Sequence, residues 1–225
     1  MRGSIVKIFL DTANIESIKQ WNNTGILDGV TTNPTLLKKE GGDAKKIIQE
    51  ICTIMSHGDV SVEVTETEKD KVYKQAKEIA SIASNVIVKI PCHKDYYAVI
   101  KKLTQEGVQI NVTLVFTLLQ SLFMCKLGVK YISPFIGRLD DIDSPGVELI
   151  DTLRIMVDEY KLTDTKILAA SIRNVKHFHE VVMAGADVAT VPVAVLEKAA
   201  QHPLTNIGIQ KFMEDWKKLG IKQFP

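Results

Sequence analysis

Short runs rich in β-branched residues alternate along this chain with longer segments of helical period, and this alternation restricts the fold more than any other feature. The strand-like runs are Ile5–Leu10, Gly29–Thr32, Val60–Val64, Val86–Ile90, Gln109–Val112, Lys130–Ser133, Lys166–Ala169 and Asp187–Val191. They recur every 20 to 35 residues or so, the repeat length of βα units. Amphipathic segments lie between them: Asn14–Trp21, the stretch after Asp43, Glu68–Ser84, Asp95–Gly107, Thr117–Gly128, the stretch after Ser144-Pro145, and Asn174–Gly185. Polar residues able to cap the first N–H groups open several of them, and glycines close several. Strands joined by helical crossovers form a parallel sheet. Eight of them in 225 residues favour a closed (β/α)8 TIM barrel, an α/β fold, over an open doubly wound sheet. The Gly-rich dinucleotide fingerprint that an open sheet would place after its first strand is replaced by Asp11-Thr12-Ala13-Asn14.

The bulk numbers fit one barrel. A chain of this length with 45% hydrophobic residues supports a single core, so residues 1–225 are expected to form one domain. An additional C-terminal helix is predicted over 205–219, where Ile207, Ile209, Phe212, Met213 and Trp216 form an apolar stripe to be covered by the barrel or by a neighbouring subunit. Lysine plus arginine number 28 against 27 acidic residues, so no nucleic acid and no anionic membrane is expected as partner, and any anion must be bound locally. No apolar stretch approaches the roughly 20 residues of a membrane span. Three scattered cysteines and no secretory h-region point to a reducing, cytoplasmic setting.

In a barrel of this kind the site lies at the C-terminal strand ends, and those ends are polar here. The first run leads into Asp11, the second carries Thr31-Thr32-Asn33, the third Glu63 and the fourth Lys89. The fifth carries Asn111 with Thr113 beyond it, the sixth ends in Ser133, and Ser171 and Arg173 follow the seventh. Alternation along Val86-Ile87-Val88-Lys89-Ile90-Pro91 turns Val86, Val88 and Ile90 to the helices and Ile87 and Lys89 to the barrel interior. By the same rule Glu63 and Asn111 point inward.

Lysine is rarely buried without a partner or a task. Burial disfavours an ammonium ion, and a neutral amine attacks carbonyl carbon, so Lys89 is the candidate for Schiff-base chemistry. Asp11 and Glu63 are candidate proton carriers. Asp11 has a rival reading as the cap of the first helix, and Asn33-Pro34 reads equally as a strand-to-helix turn. Arg138 and Arg173 follow the sixth and seventh runs, where barrels commonly bind phosphate, and a guanidinium offers phosphate a charged fork. The rival for Arg138 is pairing with Asp140 or Asp141. His177, His179, Cys92 and His93 lack metal-ligand spacing, so no metal site is expected.

The motifs Gly29-Val30-Thr31-Thr32-Asn33-Pro34, Val88-Lys89-Ile90-Pro91, Asn111-Val112-Thr113-Leu114-Val115-Phe116, Ser133-Pro134-Phe135-Ile136-Gly137-Arg138 and Ala169-Ala170-Ser171-Ile172-Arg173 resemble, in this order, those of the small single-domain transaldolases and the related fructose-6-phosphate aldolases. The resemblance runs from Phe9-Leu10-Asp11-Thr12 to Phe212-Met213-Glu214-Asp215-Trp216. It implies that Lys89 forms the Schiff base, that Asp11 handles the hydroxyl proton in C–C cleavage, and that Glu63 works through a water. It further implies that Asn33 and Asn111 hold a dihydroxyacetone unit, with Thr113, Ser133 and Phe135 near the lysine. Arg138, Ser171 and Arg173 would bind phosphate. The implied activity moves dihydroxyacetone between sugar phosphates of the pentose phosphate pathway, without metal or organic cofactor, in a homo-oligomer of five or ten subunits. In the aldolases the resemblance leads us to expect glutamine and tyrosine where Glu63 and Phe135 stand. Two alternatives are an aldolase that releases free dihydroxyacetone and a non-catalytic phosphosugar-binding barrel.

Overall fold

Inward and outward side chains alternate on every strand, which closes the sheet around one set of residues and buries the other beneath helices. The computed structural model describes residues 5–220; residues 1–4 and 221–225, included in the expected domain, lie outside them. The strands are β1 (Lys7–Asp11), β2 (Gly29–Thr31), β3 (Asp59–Glu63), β4 (Val86–Pro91), β5 (Ile110–Val115), β6 (Tyr131–Pro134), β7 (Lys166–Ala169) and β8 (Val188–Val191). All pair in parallel with their chain neighbours, and β8 pairs with β1 to close the barrel. The helices are α1 (Ile15–Asn22), α2 (Pro34–Glu40), α3 (Ala44–Ile54), α4 (Lys69–Ala80), α5 (Tyr97–Gln105), α6 (Leu118–Lys126), α7 (Ile136–Asp140), α8 (Gly146–Glu159), α9 (Val175–Met183), α10 (Val193–Ala199) and α11 (Pro203–Lys218). The (β/α)8 barrel read from the sequence is therefore the fold, with α11 appended.

Local chemistry fixes the starts of the helices. Asn14 accepts from the Ser17 N–H, Asn33 from Leu36 and Asn174 from His177, while Thr117 and Gln120 form a reciprocal capping box. These contacts satisfy N–H groups that have no partner within the helix. The cap of α1 is Asn14, which leaves the Asp11 side chain free for another use.

Two apolar layers hold the barrel. Val86, Val88 and Ile90 of β4 join the large layer between sheet and helices, whereas Ile87 joins Phe9, Tyr131, Leu168, Ala170 and Val188 inside. Phe9 fits only because β2 has a glycine beside it: a Cβ on Gly29 would lie 2.6 Å from the Phe9 ring and from the Asp59 carbonyl oxygen. At the N-terminal face the Tyr131 hydroxyl donates to Asp59 Oδ2 at 2.6 Å, and Lys130 Nζ sits 2.7 Å from the same oxygen. With its floor sealed in this way, the barrel opens at the other end.

The last helix leaves its apolar residues exposed. α11 has no buried residue, and Phe212 is 74% exposed, with Ile207, Ile209 and Met213 also more than half exposed. Among the described residues, these four side chains of the apolar stripe are left uncovered. Among the described residues, no helix is long and apolar enough to cross a membrane.

Candidate active site

Lys89 is the buried cation at the open end, and the site is built outward from it. The residue is 5% exposed, and its neighbours Val88 and Ile90 are wholly buried in the outer layer, which forces its stem into the barrel. Nζ donates to the Thr32 carbonyl at 2.9 Å and lies 3.0 Å from Glu63 Oε2. Glu63 reaches it because β3 and β4 pair Glu63 with Lys89 in register. Removing either charge would strand the other in a poorly solvated place, so the two are held as a unit.

A second carboxylate approaches from β1. Burial pushes Asp11 above the ordinary carboxylate range, while the Lys89 charge and a hydrogen bond from Thr31 act against that rise. Asn111, paired in register with Lys89 from β5, is fully buried. Its amide is committed on both sides, donating to Ser61 Oγ at 3.1 Å and accepting from Ser133 Oγ at 2.7 Å. Thr113, two residues further along β5, has a buried hydroxyl with no hydrogen-bond partner among the described residues. Leu114 beside it has φ of 57°, and the β5–β6 register shifts between Val112 and Val115. A left-handed leucine is costly, and strain of this kind gathers at functional sites.

These side chains face a cavity of about 180 Å³. Asp11, Asn33, Lys89, Asn111, Thr113, Ser133, Phe135, Arg138 and Ser171 all line it. An adjoining cavity of about 390 Å³ shares Asn33, Lys89, Phe135 and Arg138 and adds Glu63. Lys89 therefore stands between two carboxylates, each opening onto its own side. Phe135 packs edge-on against Phe116 at 6.2 Å, and the Arg138 guanidinium lies 5.1 Å over the Phe135 ring. Asn33 keeps both of the roles read from the sequence: it caps α2 and lines the cavities.

The two arginines differ. Arg138 has no carboxylate within ion-pair distance among the described residues, so the rival pairing with Asp140 or Asp141 does not form. Arg173 makes that pairing instead, with both Nη atoms on the two oxygens of Asp141, and it does not line the cavity. A Cβ on Gly137 would run into the Ser171 backbone carbonyl as well as the Arg173 side chain, so the close approach requires glycine. Ser171 itself has φ of 60°. Asp140 is engaged elsewhere, accepting from the Gly146 N–H and lying 3.3 Å from His177 Nε2, which ties α7 to α8 and α9.

Sequence reasoning passed over Ser61 and Thr190, and it named Thr31 only as part of a polar strand end, with no partner. Ser61, Thr31 and Thr190 point inward by the same alternation that placed Glu63 and Lys89, so their signal was present. Asp141 was considered only as a partner of Arg138.

Comparison with known proteins gives the family. A sequence model of the family Transaldolase/Fructose-6-phosphate aldolase matches residues 8–223. A probable transaldolase of Parvibaculum lavamentivorans is 48% identical over 217 residues, 96% of this chain and 99% of the relative. One from Nitrosopumilus maritimus is 47% identical over 214 residues, 95% of this chain and 96% of its own. Among solved structures, dihydrodipicolinate synthase from Rhodopseudomonas palustris superposes with a TM-score of 0.57 at 16% identity, over 83% of this chain and 69% of that one, a likeness of fold alone. With a family match over nearly the whole length, the chain belongs to the transaldolase/fructose-6-phosphate aldolase family.

Proposed function

We propose that the protein is a transaldolase that carries a dihydroxyacetone unit from fructose 6-phosphate or sedoheptulose 7-phosphate to glyceraldehyde 3-phosphate or erythrose 4-phosphate. The observation that carries the reading is Lys89, a buried lysine with Glu63 at 3.0 Å and Asp11 across the cavity. The names of the relatives, probable transaldolases, support the same activity.

Lys89 attacks the donor C2 carbonyl as its free amine, and Glu63, acting through a water, supplies and removes the protons by which the carbinolamine loses water. The product is an iminium ion. Asp11 then takes the proton of the C4 hydroxyl, the C3–C4 bond breaks, and its electron pair moves into the iminium to leave an enamine. The aldose phosphate departs. An acceptor aldehyde is attacked by the enamine carbon while Asp11 returns the proton, and hydrolysis of the new imine frees the ketose and Lys89. Asn33, Asn111 and Ser133 hold the hydroxyls of the three-carbon unit, and Thr113 offers its hydroxyl nearby. Arg138 and Ser171, which line the cavity, bind phosphate, and Arg173 joins them only by exchanging its Asp141 partner for the phosphate. Covalent activation by the lysine supplies the electron sink, so the reaction needs no metal or organic cofactor.

Phe135 favours transfer over release of free dihydroxyacetone. A tyrosine hydroxyl there would hold and activate a water beside the intermediate, and phenylalanine has no such group. The uncovered apolar face of α11 supports assembly into a homo-oligomer, for which the family resemblance suggests five or ten subunits. The deciding assay follows fructose 6-phosphate consumption with and without erythrose 4-phosphate. Acceptor-dependent formation of sedoheptulose 7-phosphate is expected, and rapid release of dihydroxyacetone without acceptor would assign the aldolase reaction instead.

A further inference from the structure

Two hydroxyl groups flank Asp11 in the wall of the same cavity, and the mechanism above gives them no part. β1 lies between β8 and β2 in the closed sheet, so Asp11 has inward-facing residues of both strands at its sides. Thr31 is its register partner on β2, and the Thr31 hydroxyl donates to Asp11 Oδ1 at 2.9 Å. The hydroxyl of Thr190 on β8 lies 2.5 Å from the Thr31 oxygen. Thr31 and Thr190 are 3% and 4% exposed, so neither depends on bulk water for its hydrogen bonds.

A hydroxyl carries one proton, and an ionised carboxylate only accepts. With Asp11 ionised, the Thr31 proton must point at Oδ1, and the short contact to Thr190 must then be a bond that Thr190 donates. The pair therefore has one direction, Thr190 to Thr31 to Asp11. It engages one carboxylate oxygen: Oδ2 has no hydrogen-bond partner among the described residues, while Asp11 itself lines the cavity. That leaves Oδ2 as the carboxylate oxygen with no protein donor among the described residues.

The charges facing Asp11 show what the hydroxyls add. Burial raises Asp11, Glu63 raises it further, and Lys89, the Thr31 hydrogen bond and Lys39 lower it. Among these groups Thr31 is in direct contact, and its own donor strength is reinforced by the bond it accepts from Thr190.

We propose that Thr31 and Thr190 are positioning residues that anchor Asp11 by Oδ1 and present Oδ2 to the substrate as the base of C–C cleavage. The proposal rests on the reading of Asp11 given above. Losing one hydrogen bond to a charged group is worth roughly a tenfold to hundredfold effect. Because that bond lowers the Asp11 pKa, its loss raises it, and the base is ionised only at higher pH.

The test uses the full-length protein and the Thr31→Val, Thr31→Ser, Thr190→Val and Asp11→Asn variants. Donor cleavage with erythrose 4-phosphate as acceptor is followed across the pH range. Thr31→Val is expected to lower kcat about tenfold with little change in KM and to move the acid limb of the rate profile to higher pH. Thr31→Ser keeps the hydroxyl and should restore both. Thr190→Val should move the limb the same way by a smaller amount, and it gives an independent reading if Thr31→Val fails to fold. An acid limb unmoved in both valine variants beside an inactive Asp11→Asn overturns the pair and leaves the Asp11 reading standing. An Asp11→Asn variant that still cleaves the donor overturns both.

Discussion

Replacing Arg138 by alanine separates phosphate recognition from the chemistry at Lys89. Arg138 lines both adjoining cavities and has no carboxylate partner among the described residues, so its charge is available to a ligand. The substitution removes two things. A charge-assisted hydrogen bond to phosphate is worth about 1.5–3 kcal/mol, which is roughly a tenfold to 150-fold loss in kcat/KM. The stacking of the guanidinium 5.1 Å over Phe135 is lost as well. A cation–π contact at an exposed position contributes about 0.5–1 kcal/mol, a fall of roughly 1–4 °C in Tm for a chain of this size. The phosphate contact is the larger effect and it is selective. Arg138→Ala should therefore lose at least about tenfold in kcat/KM for fructose 6-phosphate while turnover of unphosphorylated fructose hardly changes. Steady-state rates with both donors, beside a thermal melt, make the comparison. Equal slowing of the two donors would refute phosphate binding by Arg138 and point to a disturbed Phe135.

Other expectations follow from neighbouring features. Phe135→Tyr should gain acceptor-free release of dihydroxyacetone from fructose 6-phosphate, read by a coupled assay of the free ketone; a variant as acceptor-dependent as the parent would count against the role given to Phe135. Gly29→Ala drives a methyl group into the Phe9 ring and the Asp59 carbonyl, an overpacking cost of about 1–3 kcal/mol. Its Tm should drop by about 2–4 °C for each kcal/mol, and an unchanged melt would show that the barrel interior is looser than described. Phe212→Asp places a charge on the uncovered face of α11 and should lower the molar mass measured by sedimentation without lowering helix content. Retention of the parent mass would remove α11 from the subunit interface.

The barrel was legible because strand periodicity and βα spacing are local properties repeated eight times around the closed sheet. Inward placement of Ile87, Lys89, Glu63 and Asn111 followed from the same alternation, and the structure puts all four inside. What alternation cannot reveal is partnership across the barrel. The contact between Thr31 and Thr190 joins positions 159 residues apart and exists only once β8 has closed onto β1. The Asp141–Arg173 pair depends likewise on α7 meeting the loop after β7. Short helices such as α7 and α10 escaped notice because five to seven residues carry too little periodicity to stand out. The apolar stripe of α11 was visible in the sequence, and among the described residues most of it stays exposed.

The central claim is that Lys89 becomes covalently bonded to the donor. Borohydride reduction in the presence of fructose 6-phosphate, followed by peptide mass mapping, tests it most directly. The account predicts one adduct of dihydroxyacetone size on the peptide containing Val88-Lys89-Ile90, and none in a Lys89→Met variant, which should also lose turnover. An adduct on another lysine, or normal turnover by Lys89→Met, would contradict it.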